Sequence, residues 1–207
     1  MHNYLKLLLV VFFLFTSWSF AEPQNNSTNH IKSVVFGAGC FWSVEKKFQE
    51  TLGVINVESG YADGKKIKPI YREIIKKENR FNPDNYAEVV KVTYNSNHIT
   101  FSELVKIFFE MHDPTQGNRQ GNDIGVQYRS LILASSEKEI SLSNQIKEQY
   151  QVLLEKSGYG PVKTDIKKLS KFFLAENYHQ DYLQKNPNGY CPDTVSYTHL
   201  TLPTKVS

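Results

Sequence analysis

Cys40 is the residue whose position most directly suggests chemistry. The chain has two cysteines, and this one stands in "VVFGAGCFWSVEKKF", between a glycine turn and the predicted start of a helix. A thiol in the first helical turn lies near unpaired backbone N–H groups and the positive end of the helix dipole, which favour the thiolate. The position is therefore typical of a nucleophile. The alternative is a buried structural cysteine, which is the commoner environment of this residue.

Two large aromatic residues, Phe41 and Trp42, follow the cysteine directly. Successive residues of a helix point about 100° apart, so the two rings cannot both enter one core face. One consequence would be that they wall a small apolar pocket beside the sulfur. Ordinary core packing is the alternative for either ring considered singly.

Glu88 is an unexpected carboxylate in a predicted strand. In "AEVVKVTYN" it shares one face with Val90, Val92 and Tyr94, the side that should be buried. Burial would raise the pKa of the carboxyl and allow it to act as an acid near neutral pH. The alternative is exposure at the strand end, since carboxylates are rarely buried without a partner.

A polar segment, "HDPTQGNRQGNDIGVQYRS", lies between a predicted helix and a predicted strand. Its side chains could brace turns, and they could equally line a site. The histidines show no spacing typical of metal ligands, so we expect no metal site. Cys40 and His179 could in principle form the nucleophile–base pair of a cysteine hydrolase. No phosphate-binding glycine motif is present.

The surrounding elements alternate in a regular order. The run "KSVVFGAG" predicts a strand, "CFWSVEKKFQETLG" a helix that stops at Gly53, and "VINVESGYADG" a second strand. Thr100 and Glu103 have capping-box spacing at the start of another helix. The order β-α-β-β-α-β from 33 to 135 predicts an α+β fold, a split-βαβ (ferredoxin-like) two-layer sandwich with long loops and a C-terminal extension.

Composition is typical of one globular domain. The chain has 207 residues, of which 40% are apolar, and a formal net charge of +3. The lysines are spread along the sequence, so we expect no nucleic-acid partner. The chain length and the apolar fraction are sufficient for a packed core.

Both ends of the chain differ in composition and residue pattern from its central part. Residues 1–21 combine a positive start, the apolar run "LLLVVFFLF" and small residues Ser19 and Ala21 before a plausible cleavage point. This pattern predicts a signal peptide and hence a secreted, periplasmic protein, with an uncleaved membrane anchor as the alternative. We expect residues 22–32 to form a disordered spacer, residues 33–192 the domain, and residues 193–207 a tail that is disordered or foreign to it.

Several motifs together resemble a known family. "GAGCFWSVE", "GVINVESGYADG", "AEVVKVTY", "HDPTQGNRQGNDIGVQYRS" and "AENYHQDYLQKNPNGYC" are similar to segments of the A-type peptide methionine sulfoxide reductases, in the same order. The resemblance covers 33–191. It implies reduction of the S epimer of methionine sulfoxide, free or in oxidised proteins, because each epimer has its own class of enzyme.

The resemblance also implies a role for each matching residue. Cys40 would attack the sulfoxide sulfur, Glu88 would protonate the oxygen, and Cys191 would resolve the resulting sulfenic acid as a disulfide. The substrate would be bound by a set of five residues: Phe41 and Trp42 around the methyl group, Tyr71 and Tyr128 at the oxygen, and Asp123 as a further polar group. We therefore expect no metal or organic cofactor, a thioredoxin-like dithiol as reductant, and a monomer.

The sequence departs from the family pattern at three places, and three other functions are alternatives to this interpretation. Tyr86 stands where the family often has a histidine beside the acid, "DGKKIKPIY" is more basic than usual, and no third cysteine follows Cys191. The first rival, a general thiol–disulfide oxidoreductase, would prefer a C-x-x-C pair, which is absent. The second is a secreted binding domain stapled by a static Cys40–Cys191 disulfide, and the third is a cysteine hydrolase.

Overall fold

The structure, a computed structural model, describes residues 30–190. The predicted signal peptide, the spacer up to residue 29, Cys191 and the predicted 193–207 tail lie outside the described residues. The strands are β1 Ile31–Gly37, β2 Val54–Ala62, β3 Ala87–Asn95, β4 Arg119–Gln120, β5 Asp123–Ile124, β6 Leu131–Ala134, β7 Asp165–Lys168 and β8 Phe172–Leu174. The α-helices are α1 Phe41–Gln49, α2 Tyr71–Ile74, α3 Phe101–Glu110, α4 Glu137–Lys156 and α5 Tyr182–Lys185, with 3₁₀ turns at Lys77–Asn79 and Val126–Tyr128.

Six strands form one sheet in the order β7-β6-β1-β3-β2-β8, and β4 pairs with β5 separately. The neighbours are antiparallel except for β6 and β7, which are parallel. The mixed α/β character expected from the sequence is confirmed. The first strand begins at Ile31, which pairs with Asn95, so the last two residues of the predicted 22–32 spacer belong to the sheet.

The strand β3 is buried on both faces at its start. Its residues Val90, Val92 and Tyr94 pack into the main core with the apolar sides of α1 and α3. On the opposite face, Ala87 and Val89 belong to a second, smaller apolar cluster. Leu169 and Phe172 pack against that cluster, so a side chain at the start of β3 is shielded from water whichever way it points.

The helix α1 begins one residue after Cys40, which occupies its N-cap position. The preceding residue, Gly39, has a φ of +97°, a conformation that favours glycine. A β-carbon there would also lie 2.8 Å from the Gln120 side chain. The helix ends at Gln49, earlier than predicted, and Gly53 has a φ of +89°. The predicted capping box of α3 is confirmed: Thr100 and Glu103 each accept a backbone N–H from the other.

Residues 157–190, called here the C-terminal extension, supply both edge strands of the sheet and then return to contact β2 and α1. Gln180 anchors this return, because its side chain bonds both the N–H and the carbonyl of Ser59 in β2. Gln49 in α1 donates to Asp181 over 2.8 Å. No helix within residues 30–190 is long and apolar enough to cross a membrane.

Candidate active site

The Cys40 thiol lies where β1 passes into α1, and only 8% of the residue is exposed. Burial raises the pKa of this thiol well above its ordinary value. Charge on Glu88 raises the pKa further, while the N–H groups of Trp42 and Ser43 at the helix start lower it. The expected contribution of the helix terminus is present, but burial outweighs it. The prediction that the position favours the thiolate is therefore wrong for the free protein.

Glu88 is buried beside the cysteine, with 2% of its surface exposed, so the alternative of strand-end exposure is excluded. Its Oε2 accepts a hydrogen bond from the N–H of Phe41 over 3.3 Å, which ties β3 to the first residue of α1. Burial raises the pKa of the carboxyl to about 8; the Phe41 N–H opposes this shift and Asp123 adds to it. Glu88 is consequently protonated, and able to donate a proton, at neutral pH.

These residues surround a small cavity of about 50 Å³. Its lining includes every candidate site residue that falls within the described part of the chain: Cys40, Phe41, Trp42, Tyr71, Glu88, Asp123 and Tyr128, together with Tyr190. The candidate residues come from four separate regions of the sequence, and Tyr190 adds a fifth region to the same site. Cys191, the remaining candidate, lies outside the described residues, directly after Tyr190.

Aromatic rings form the apolar side of the site. The rings of Phe41 and Trp42 lie 6.1 Å apart, centre to centre, and Tyr182 stacks on Trp42 at 3.8 Å. The expectation of ordinary core packing applies in part, because Phe41 also contacts the core residue Tyr61. The two residues nevertheless both reach the cavity. An apolar group such as a methyl could be enclosed there without losing polar contacts.

Hydroxyl groups form the polar side. Burial raises the pKa of Tyr71 to about 12 and moves that of Tyr128 further in the same direction. Both phenols therefore remain protonated and can donate hydrogen bonds to an oxygen atom. Burial also raises the pKa of Asp123, although the Tyr190 hydroxyl, which donates to its Oδ1 over 3.1 Å, opposes the shift.

Tyr190 is the lining residue that the sequence patterns did not indicate. It makes the Asp123 contact from the far end of the chain and borders the same cavity. The available signal was its place in "NPNGYC", immediately before the candidate resolving cysteine. An exposed tyrosine in a glycine turn carries no burial pattern, so periodicity could not have identified it.

The polar segment between α3 and β6 both braces turns and lines the site, the two functions that the sequence left open. Gln120 spans it, accepting from the N–H of Asp113 and donating to the carbonyl of the same residue, each over 3.1 Å. The Asp113 carboxylate in turn accepts from Thr115 and Gln116. The bracing holds a loop from which Asp123 and Tyr128 line the cavity.

Two further sequence features, His179 and Tyr86, do not line the cavity. His179 is 1% exposed, and neither of its ring nitrogens has a hydrogen-bond partner among the described residues, which argues against a Cys40–His179 hydrolase pair. Tyr86, the departure beside the acid, packs edge-on against Phe173. Within residues 30–190, no group of three or more His, Cys, Asp or Glu side chains could hold a metal ion.

A buried thiol, a buried carboxylic acid and two phenols around one cavity with an apolar side are typical of an enzyme active site. Comparison with known proteins is more specific. The family model described as peptide methionine sulfoxide reductase matches residues 32–204. The chain therefore belongs to the peptide methionine sulfoxide reductase family, and it is an oxidoreductase that acts on methionine sulfoxide.

Individual relatives agree with the family match. The mitochondrial peptide methionine sulfoxide reductase of Homo sapiens is 48% identical over 170 residues, which are 82% of this chain and 69% of the human protein. Methionine sulfoxide reductase A of Corynebacterium diphtheriae has a similar structure, with a TM-score of 0.73 and 40% identity over 79% of this chain and 78% of that chain. Mxr1 from Saccharomyces cerevisiae in complex with Trx2 gives a TM-score of 0.52 and 25% identity over 81% and 91% of the two chains.

Proposed function

We propose that this protein reduces the S epimer of methionine sulfoxide to methionine, with Cys40 as nucleophile, Glu88 as acid and Cys191 as resolving thiol. The observation that carries the proposal is the juxtaposition of Cys40 and a buried Glu88 with a pKa of about 8 around one cavity of about 50 Å³. A static structural cysteine would not need a proton donor beside it.

The two sides of the cavity match the two parts of a methyl sulfoxide. The methyl group would lie against Phe41 and Trp42, where it is removed from contact with water. The sulfoxide oxygen would accept hydrogen bonds from Tyr71, Tyr128 and protonated Glu88, which can donate at neutral pH. This orientation directs the sulfur lone pair and the S–O bond with respect to Cys40, and so discriminates between the two epimers.

The reaction then proceeds in balanced steps. The sulfur of Cys40 attacks the sulfoxide sulfur while Glu88 transfers a proton to the oxygen, and the proton lost by the thiol restores that of Glu88. The oxygen passes to Cys40 as a sulfenic acid, the substrate sulfur gains two electrons, and methionine leaves. The Cys191 thiol next attacks the sulfenic sulfur, forming the disulfide and releasing water.

An external dithiol must reduce that disulfide before another cycle. We propose a thioredoxin-like protein, supported by the Mxr1 relative that forms a complex with Trx2. The substrates would be methionine sulfoxide itself and oxidised proteins, with no metal or organic cofactor required.

The signal pattern of residues 1–21 supports export to the periplasm, where the protein would act as a monomer. The order β6-β1-β3-β2 supports the split-βαβ, ferredoxin-like description of its centre.

The two separated epimers of a blocked methionine sulfoxide test this function. Each is incubated with the protein and dithiothreitol, and methionine is quantified. We expect turnover of the S epimer alone, and no turnover after Cys40→Ser. A folded wild-type protein that reduces neither epimer would contradict the proposal and would favour the stapled binding domain instead.

A further inference from the structure

We propose that Glu176 is a positioning residue for Tyr71, and that through it the C-terminal extension fixes one wall of the site. The proposal rests on the function proposed above, in which Tyr71 binds the sulfoxide oxygen. Glu176 lies between β8 and α5 and does not line the cavity, whereas Tyr71 does. It would therefore act on the reaction only through the residues it holds, of which Tyr71 alone lines the cavity.

One carboxylate bridges two elements that approach the site from different parts of the chain. Its Oε1 accepts the backbone N–H of Tyr71 over 3.0 Å, and its Oε2 accepts the Tyr61 hydroxyl over 2.8 Å. Tyr61 is fully buried in β2 and stands directly opposite Glu88 in β3. Glu176 thus connects the start of α2 to a rigid point of the sheet beside the acid.

Tyr71 has no local substitute for this bond. It is the first residue of α2, a helix of four residues, and the N–H groups at a helix start have no partners within the helix. A side-chain cap usually supplies one, but the N-cap residue here is Ile70 and makes no side-chain hydrogen bond. Glu176 provides from 105 residues away what a capping residue would normally provide locally.

The charge of Glu176 strengthens these hydrogen bonds. Partial burial opposes ionisation, but hydrogen bonds from the Tyr71 N–H and the Tyr61 hydroxyl hold the pKa of the carboxyl below its ordinary value. The group is therefore ionised at neutral pH. Hydrogen bonds to an ionised acceptor are roughly twice as strong as neutral ones.

The same short segment also contacts the ring of Tyr71. His179, three residues after Glu176, packs edge-on against that ring at 4.5 Å between centres. Its Nε2 lies 3.9 Å from Glu176 Oε2. Backbone and ring of Tyr71 are thus both held by residues 176–179. A shift of that segment would displace the Tyr71 hydroxyl from the oxygen it is proposed to bind.

Amide hydrogen exchange at Tyr71 tests the positioning directly and does not depend on activity. The variants are Glu176→Ala, which removes the acceptor, and Glu176→Gln, which retains an oxygen for one of the two donors. Glu148→Gln, an exposed glutamate of α4, is the control. We expect exchange of the Tyr71 N–H to rise about tenfold or more in Glu176→Ala, less in Glu176→Gln, and not at all in the control. Unchanged exchange in both Glu176 variants would overturn the proposal.

A double-mutant cycle on kcat/KM for the S epimer separates positioning from general damage. We expect Glu176→Ala to lower kcat/KM about tenfold and Glu176→Gln to restore part of it. Combined with Tyr71→Phe, the Glu176 changes should cost little more than Tyr71→Phe alone, because they act through the same hydroxyl. Additive losses would overturn the proposal. If Glu176→Ala fails to fold, Glu176→Gln completes the same cycle. A wild type without turnover would refute the proposed function, and the exchange result would still decide the role of Glu176.

Discussion

Cys40 and Glu88 are both held in their uncharged forms in the free protein. Both are buried, and a carboxylate at Glu88 raises the pKa of the Cys40 thiol. The free protein therefore holds an uncharged thiol next to an uncharged acid, the state that costs least in a site with little water. A sulfoxide changes this balance because its oxygen accepts the proton of Glu88 while the Cys40 sulfur forms a bond. Negative charge on the Cys40 sulfur and on the Glu88 carboxylate therefore develops only as the substrate reacts.

Replacing Glu88 should therefore change the cysteine even without substrate. Glu88→Gln removes the charge that raises the thiol pKa and leaves the shape nearly unchanged. We expect faster alkylation of Cys40 by iodoacetamide once the pH exceeds the pKa of Glu88, about 8. The measurement uses a Cys191→Ser background so that one thiol reports. An unchanged pH profile of alkylation would show that Glu88 does not affect the thiol.

The pH dependence of the rate should report the same carboxyl. With the pKa of Glu88 at about 8 in the free protein, kcat/KM for the S epimer is expected to fall as pH rises through that value, since the proton donor is lost. Glu88→Gln should lower kcat/KM by about 10²–10⁴-fold, the usual contribution of a general acid, and remove that limb. A wild-type rate that continues to rise well above this pKa would contradict an acid role for the residue.

The loop between α3 and β6 is closed at its base by a chain of hydrogen bonds. His112, just after α3, has Nδ1 2.6 Å from the Phe108 carbonyl and Nε2 2.8 Å from the Ser130 hydroxyl. A carbonyl only accepts, so Nδ1 carries a proton, and in the neutral ring Nε2 then accepts a hydrogen bond from Ser130. The Ser130 oxygen in turn lies 2.7 Å from the Thr164 hydroxyl. This order requires a neutral imidazole, and it fixes both ends of the loop that carries Asp123 and Tyr128.

We therefore expect acid pH to destabilise the loop between α3 and β6 before it affects most other elements. Burial lowers the pKa of His112 to about 4, although the Phe108 carbonyl opposes the shift, from an unfolded value of about 6.5. Because the unfolded chain binds the extra proton, the full stability is present above about pH 6.5, and about 3 kcal/mol is lost as the pH falls from there to about 4. Urea unfolding at several pH values measures this loss.

The matched variants assign that loss to one histidine. His112→Asn should be less stable than wild type at neutral pH and should show a smaller decrease towards acid pH. The exposed His98, changed in the same way, should leave both the stability and its pH dependence unaltered. Equal pH dependence in His112→Asn and wild type would refute the assignment.

At the scale of the whole molecule, the sequence predicted the features that rest on local patterns. The location of Cys40 at the start of α1, the buried face that carries Glu88 and the capping box of α3 follow from neighbours within one or two turns. Four distant stretches could be assigned to one site only through the family resemblance. Their convergence depends on the pairing of β1, β2 and β3, which periodicity does not specify.

The parts that the sequence did not predict depend on long-range contacts. The strand β7 is mostly exposed and lacks alternation, yet it pairs with β6 in parallel; β8 closes the opposite edge. Glu176 and Tyr190 act on Tyr71 and Asp123, which are far away along the chain. The pKa of the Cys40 thiol is raised, whereas the helix start predicted that it would be lowered. The helix start is a local feature, but burial depends on the packing of the complete domain.

One measurement tests the central claim most directly: the fate of Cys40 after a single turnover. The Cys191→Ser protein, which retains only Cys40, is mixed with an excess of the S epimer and no reductant, in the presence of dimedone. We predict one equivalent of methionine per protein and an equal amount of dimedone adduct on Cys40, as a sulfenic acid requires. The R epimer should give neither. Methionine formed without the Cys40 adduct, or an unmodified Cys40 with no methionine from a folded protein, would contradict the account.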